Sequence, residues 1–354
     1  MLQPVLDIDE VTDFLGQWAG DVVVGVSQFS NGQVSSVFAF EVLGDASGPP
    51  KEGGKVKSGR YVARFVASEY GGAVSKDRFI APRAAAVGVP TPRLLKYGEV
   101  SMSVGNLTDE EKESNDAGSY PLAFAICDLM PGEYMGELQD KDRRYLIPAA
   151  VRSMDRISMI DISDTSGWGW FDNEGNGKLE SWAEYLGEES FPESGGDFYE
   201  RRRAWFDDGF LEFDVFRKFS DRMMELVARL PDIDRSVVHI DFGHDNTLVI
   251  GNEVSAVVDW DNSIIGDLLY DGARSDVYAP DIDFKQLFSE RYASTGRVVH
   301  GFEDRWLVCQ LHVVLQELQW YGRSNKEAAY HWMKARMLFL LGEGDAVGRH
   351  PEGA

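Results

Sequence analysis

The stretch from Val237 to Ala273, VVHIDFGHDNTLVIGNEVSAVVDWDNSIIGDLLYDGA, constrains the whole chain. His239, Asp241 and Asn246 fall at the spacing H-x-D-x-x-x-x-N, and Asp259 follows after two short β-type runs. Val237, Val238 and Ile240 are β-branched and lead into a turn of Gly243, His244, Asp245 and Asn246. Thr247 to Ile250 reads as a strand, Gly251-Asn252 as a tight turn, and Val254 to Val258 as the return strand. A hairpin brings its ends together, so Asn246 and Asp259 are expected to meet at the open end. Phosphoryl transfer asks for such a set. Asp241 would orient an attacking hydroxyl and accept its proton, and Asn246 and Asp259 would hold Mg²⁺, a hard cation that takes oxygen ligands. The same residues also read as turn acids of a β-hairpin, with Asn246 only shaping its loop. The hairpin placement of Asp259 weighs towards the chemical reading.

A chain of 354 residues is long enough for two domains or one bilobed enzyme. Its net charge is −24, from 35 basic and 59 acidic residues, which repels nucleic acid and anionic membrane and attracts cations. A polycationic small molecule would be steered in; an acidic surface equally serves solubility. No apolar run approaches the roughly 18 residues of a membrane span, and the acidic, amphipathic MLQPVLDIDEVTDFLG is no signal peptide, so a cytoplasmic location is expected. Cys127 and Cys309 read as buried thiols rather than a disulfide. No G-x-S-x-G elbow and no ligand-spaced His/Cys cluster occur, which disfavours a hydrolase or a zinc enzyme.

In chain order, residues 8 to 20 suggest a helix, and Val22 to Val26 and Val37 to Leu43 paired strands. The connection between them holds Ser30, Asn31, Gly32, Ser35 and Ser36, either a phosphate-cradling loop or an ordinary hairpin turn. In the strand Arg60 to Ala67, alternation singles out Arg64, a planar fork suited to phosphate. A helix is predicted from Ser75 to Val87, with Asp77 near its start, ended by Gly88 and Pro90. Pro121 to Met130 reads as an apolar strand, and Pro131-Gly132 marks a boundary between lobes at 1–130 and 131–354. Further helices are predicted over Asp140 to Ile160, from SWAEYL, and over Asp214 to Leu230, Glu303 to Tyr321 and Lys326 to Leu341. Trp168, Trp170 and Trp182 can stack on sugar rings, although large aromatics are more often core.

VHIDFGHDN followed by VVDWDNSIIGDLLYDGA resembles the aminoglycoside phosphotransferase family, and TSGWG at 165–169 with the later SW resembles the hygromycin B phosphotransferases. The resemblance runs over about residues 20 to 341. It implies an α+β, bilobed, protein-kinase-like fold: a small N-terminal antiparallel β-sheet lobe that binds nucleotide and a larger, mainly helical C-terminal lobe. It implies an ATP-dependent O-phosphotransferase (GTP being possible) acting on a small cationic molecule, an aminoglycoside first, and so antibiotic resistance. Choline, homoserine or a sugar are alternative acceptors, and a non-catalytic nucleotide-binding protein is a further reading. By resemblance Asp241 is the base, Asn246 and Asp259 hold Mg²⁺, Arg64 clamps phosphate with Asp77 as its partner, and Gly32 and Ser35 cover the nucleotide. The hinge around Asp128 and Met130 would meet the adenine edge. Asp267 is expected to order the catalytic loop and Asp271 to cap or position the next helix, while His239 braces the loop and His244 sits within it, where it can touch the acceptor. Asp261, Asn262, Asp276, Glu317 and Trp320 are the residues expected to bind the acceptor. A monomer is expected.

Overall fold

The computed structural model describes residues 3–29, 35–44, 56–106, 119–189, 210–243, 245–348 and 350–351. They divide into two compact units, the first built from Met1–Ala86, Pro90–Gly132 and Ser255–Asp261, the second from Val87–Val89, Glu133–Val254 and Asn262–Ala354.

The first unit grows from a period-two pattern. In SVFAFEVL, Phe38, Phe40 and Val42 fall on one face, and in RYVARFVA so do Tyr61, Ala63 and Phe65. These segments are β2 (Ser36–Leu43) and β3 (Gly59–Ala67), which follow helix α1 (Ile8–Ala19) and β1 (Val22–Gln28). Helix α2 (Gly72–Ala86) leads to β4 (Leu94–Ser103) and β5 (Ser119–Asp128). The five strands form one antiparallel sheet in the order β1-β2-β3-β5-β4. Helix α1 begins where the Asp7 carboxylate accepts from the N–H groups of Asp9 and Glu10, and it ends at Gly20, whose φ of 62° is left-handed. Its Val11, Leu15 and Ala19 join the inward strand residues in one core, with Phe14 edge-on to Phe124 at 4.9 Å. On the opposite face of the sheet Val66, Ala123 and Ala125 pack beside Val74 of α2 and Leu94. Helix α2 starts three residues earlier than predicted, and β4 is a ten-residue strand.

The second unit begins with β6 (Glu133–Tyr134), α3 (Asp140–Ile157), the hairpin β7 (Trp168–Phe171) and β8 (Gly177–Leu179), α4 (Trp182–Glu189) and α5 (Phe213–Val227). Short strands β9 (Ser236–Val238) and β10 (Thr247–Ile250) follow. Strand β11 (Glu253–Val257) then carries the chain across the boundary into the first unit. The remainder comprises β12 (Ile264–Gly266), α6 (Tyr270–Tyr278), α7 (Phe284–Thr295), α8 (Phe302–Arg323) and α9 (Glu327–Leu340). β10 pairs with β6, and β8-β7-β12-β9 make a four-stranded sheet. Helix α8 is buried on several sides: Trp306, Val308, Cys309, Leu311, Val313, Val314, Leu315 and Leu318 are buried, and so are the polar Arg305, Gln310, His312 and Gln319, as suits a helix with several neighbours. Those neighbours are α5, α6 and α9. Trp182 is core, stacked on Tyr185 at 5.1 Å, whereas Trp170 is 37% exposed. The expected strands over 247–250 and 254–258 are found, the second beginning one residue earlier; helix α7 and the β7/β8 hairpin are not foreseen.

Candidate functional site

In the first unit the chemistry gathers around Arg64. Alternation along β3 sends Ala63 and Phe65 into the α1-side core and Arg64 to the other face, where its register partners are Val37 and Ala125. Its Nη2 donates to Asp261 Oδ1 at 2.6 Å and its Nη1 to Asp259 Oδ1 at 3.1 Å. Lys76 Nζ from α2 donates to the Asp261 carbonyl at 2.7 Å. The neighbouring turn is pinned as well, Trp260 Nε1 donating to Thr91 Oγ1 at 3.0 Å and Val257 N–H to the Pro90 carbonyl at 2.7 Å. Asp259 has a φ of 60°, a left-handed conformation that a non-glycine residue holds only when its surroundings impose it.

Three carboxylates, Asp77, Asp259 and Asp261, share the field of this one guanidinium. Burial alone would lower the Arg64 pKa, yet Asp261, Asp77 and Asp259 hold it above its ordinary value. Burial pushes the Asp261 carboxyl up to about 7 against the pull of Arg64. Asp77 is pushed up to about 6, again by burial, with Arg64 opposing and Asp259 adding. Arg64 was expected to pair with Asp77. Asp77 does act on Arg64 through its charge, and Asp261, expected at the acceptor, makes the 2.6 Å bond, because the turn after Asp259 delivers it directly to the guanidinium. At the end of β5, Asp128 pairs with Arg93 at 3.2 Å, its N–H donates to the Arg93 carbonyl, and Met130 is half-buried beyond it. Ser35 carries the carbonyl that accepts from Gln3 Nε2 at 3.1 Å. Gly32 and His244 lie outside the described residues.

In the second unit the loop after β9 carries Asp241. Ile240 immediately before it has a φ of 67°, a costly conformation for a β-branched residue. Asp271 holds it there: its carboxylate accepts from the N–H of His239 at 2.9 Å and of Ile240 at 2.8 Å. Burial raises the Asp271 pKa, with His239 and these backbone bonds opposing. Loop ordering is expected of Asp267, and capping or positioning of the next helix of Asp271. In the structure it is Asp271 that orders the loop. Asp267 accepts from the Leu269 N–H at 3.0 Å and is gripped by Arg305 of α8 at 2.8 and 2.7 Å, so it holds the chain just before α6 and ties it to α8. His239 is fully buried, as expected of a bracing residue.

Asp241 itself is held on both oxygens. Asn262 Nδ2 donates to Oδ2, and Arg274 Nη2 reaches Oδ1 at 3.4 Å. Arg274 is fixed in turn by Glu317, 2.6 Å from Nη1, with the ring of Tyr278 5.0 Å from the guanidinium carbon. Arg274 escapes the sequence reading, although it follows Asp271 by three positions on one helix and so shares its face. Asn246 Nδ2 donates to the Asp241 carbonyl at 3.1 Å. Among the expected acceptor residues, Asp276 is buried and accepts from Gln310 Nε2 at 2.7 Å and Trp306 Nε1 at 3.3 Å, so its place is in the core of the unit and not on an acceptor. Glu317 is spent on Arg274. Trp320 is 48% exposed on α8.

Residues 41–294 match the phosphotransferase enzyme family. The chain belongs to that family. This phosphotransferase is 26% identical over 280 residues to the hygromycin-B 4-O-kinase of Escherichia coli, covering 79% of this chain and 70% of that protein. Aminoglycoside phosphotransferase APH(4)-Ia, solved as a ternary complex with ADP and hygromycin B, superposes with a TM-score of 0.70 at 21% identity, covering 96% of this chain and all of that one. Macrolide 2'-phosphotransferase from Brachybacterium faecium gives 0.57 at 16% identity, covering 96% and 100%. The phosphotransferase thus has the kinase-like α+β fold of the aminoglycoside phosphotransferases. Among the described residues no helix is long and apolar enough to cross a membrane.

Proposed function

We propose that this phosphotransferase transfers the γ-phosphate of ATP to a hydroxyl of an aminoglycoside of the hygromycin B class, which would inactivate the antibiotic. The observation that carries the proposal is the setting of Asp241: a carboxylate on a strained loop, held by Arg274 and Asn262, and still 31% exposed. A base that must align a hydroxyl needs both properties, fixed orientation and access. The acceptor oxygen forms its bond to the γ-phosphorus as the bond to the β-phosphate oxygen breaks. Asp241 takes the hydroxyl proton, and ADP leaves.

Nucleotide and Mg²⁺ fit the donor groups. Arg64 is the fixed cation for phosphate oxygens. Asp259 offers a carboxylate that is 49% exposed. Asn246 spends its amide nitrogen on the Asp241 carbonyl, which leaves its oxygen for a cation. Bound Mg²⁺ would supply charge neutralisation at the phosphates. The hygromycin-B 4-O-kinase relation and the ADP and hygromycin B held by APH(4)-Ia support the choice of nucleotide and acceptor. One observation favours a second reading, an acceptor with fewer ammonium groups: Asp261, Asp276 and Glu317 are all engaged within the protein.

The test is ADP release by purified protein with ATP and Mg²⁺ across aminoglycosides, a macrolide, choline, homoserine and sugars. Stimulation by hygromycin B or a relative supports the proposal. Stimulation only by a neutral acceptor moves it to the second reading, and silence despite nucleotide binding removes the aminoglycoside assignment.

A further inference from the structure

Resting on that reading of Arg64 as the phosphate clamp, we propose that Asp261 is its positioning residue, doing for this chain what an acid at the start of α2 was expected to do. A guanidinium that must meet phosphate oxygens needs an acid that fixes it before the nucleotide arrives and stays with it afterwards. Asp259 cannot be that acid, because a metal ion would claim its carboxylate. Asp77 is near enough for its charge to act on Arg64, after that of Asp261. Asp261 makes the 2.6 Å bond.

The anchor is itself anchored. Asp261 sits in a single 3₁₀ turn, Trp260–Asn262. Its carbonyl is held by Lys76 Nζ at 2.7 Å, and the preceding Trp260 by Thr91 at 3.0 Å. Lys76 is 7% exposed, so this basic group of α2 serves the turn rather than bulk solvent. The fork geometry also suits an exchange of partners. Nη1 is shared with Asp259 at a looser 3.1 Å, so a cation can take Asp259 while Nη2 keeps Asp261. Asp261 therefore holds the arm of the clamp while Nη1 turns to phosphate.

The experiment is a double-mutant cycle read by direct binding of ATP with Mg²⁺, by calorimetry, so that no acceptor is needed. Full-length wild type, Asp261→Asn, Arg64→Gln and the double variant are compared, with Asp261→Glu as the conservative rescue and Asp77→Asn as the competing anchor. Asp261→Asn should weaken binding about tenfold, the scale of one lost charge-assisted hydrogen bond. Asp261→Glu should recover part of that loss, and Asp77→Asn should cost less than Asp261→Asn. The double variant should bind no more weakly than Arg64→Gln alone, since an anchor has nothing left to hold once the arginine is gone. Because the double variant removes both charges, it keeps the cycle readable if Asp261→Asn, which leaves Arg64 without its closest partner, is poorly folded: a double variant that binds markedly more weakly than Arg64→Gln overturns the proposal. So does a larger loss from Asp77→Asn than from Asp261→Asn. Wild type that binds no nucleotide is a different failure, that of the functional reading itself.

Discussion

Asp241 and Asp271 are both carboxylates on or under one loop, and they should fail in different ways. Asp241 is partly exposed and carries no backbone, so Asp241→Asn should leave folding intact and lower kcat about a thousandfold, with KM for ATP little changed. ADP release at saturating acceptor reads this directly; near-normal turnover would remove Asp241 as the base. Asp271 is buried and satisfies two N–H groups, one of them on Ile240 in a left-handed conformation. Asp271→Ala leaves both donors without an acceptor and releases the strain, so urea unfolding should show a loss of about 3 kcal/mol. Its kcat should fall as well, because the loop that aims Asp241 loses its support. A variant as stable as wild type would mean that the strain at Ile240 is imposed from elsewhere. At this scale the types of residue were legible from the motif, but not their division of labour. Asp267 and Asp271 stand four apart, and nothing in the spacing says which one faces the loop and which one meets Arg305.

The elements show why some predictions hold and others do not. β10 and its return strand β11 announce themselves through β-branched runs around Gly251-Asn252. Helix α7 does not: its buried Phe284, Phe288 and Tyr292 make a narrow seam in an otherwise polar segment. The seam matters for α6, since a methyl group on Gly272 would lie 2.6 Å from the Phe288 ring. Gly272→Ala should therefore cost about 2 kcal/mol in thermal or urea unfolding by forcing α6 and α7 apart. On α2 and β3 the pairing of Arg64 was illegible because its partner lies 197 residues away, beyond any local pattern. The same cluster yields a pH prediction. Burial pushes the Asp77 carboxyl from 3.8 to about 6, with Arg64 opposing, so the folded protein binds that proton more tightly than the unfolded chain. Stability from this group is then greatest at low pH and declines as pH rises from about 4 to about 6. Asp77→Asn removes the decline, so the melting midpoint of the variant should gain on that of wild type across this window. A difference that stays flat with pH would show that Asp77 is not raised.

For the molecule as a whole, charge is the property that composition makes plain and that the fold redistributes. A net −24 attracts cations from a distance, yet Asp261 and Glu317 are each paired with an arginine and Asp276 is buried beneath Trp306 and Gln310. The long-range field and the contact surface therefore argue differently about the acceptor, and salt separates them. Steering of a polycation acts over a Debye length of about 10 Å at 0.1 M and collapses as salt rises, whereas contacts inside a partly buried site are screened far less. If the acceptor is a polycationic aminoglycoside drawn in by the field, kcat/KM should fall about tenfold between 0.02 and 0.5 M salt while kcat barely changes. The fall should appear in KM for the acceptor. KM for MgATP, which carries negative charge towards a negative protein, should move the other way or not at all. A neutral sugar acceptor predicts a flat profile. Steady-state kinetics at four salt concentrations thus connect the acid surplus visible in the sequence to the identity of the acceptor, through a quantity that the internally paired carboxylates cannot imitate.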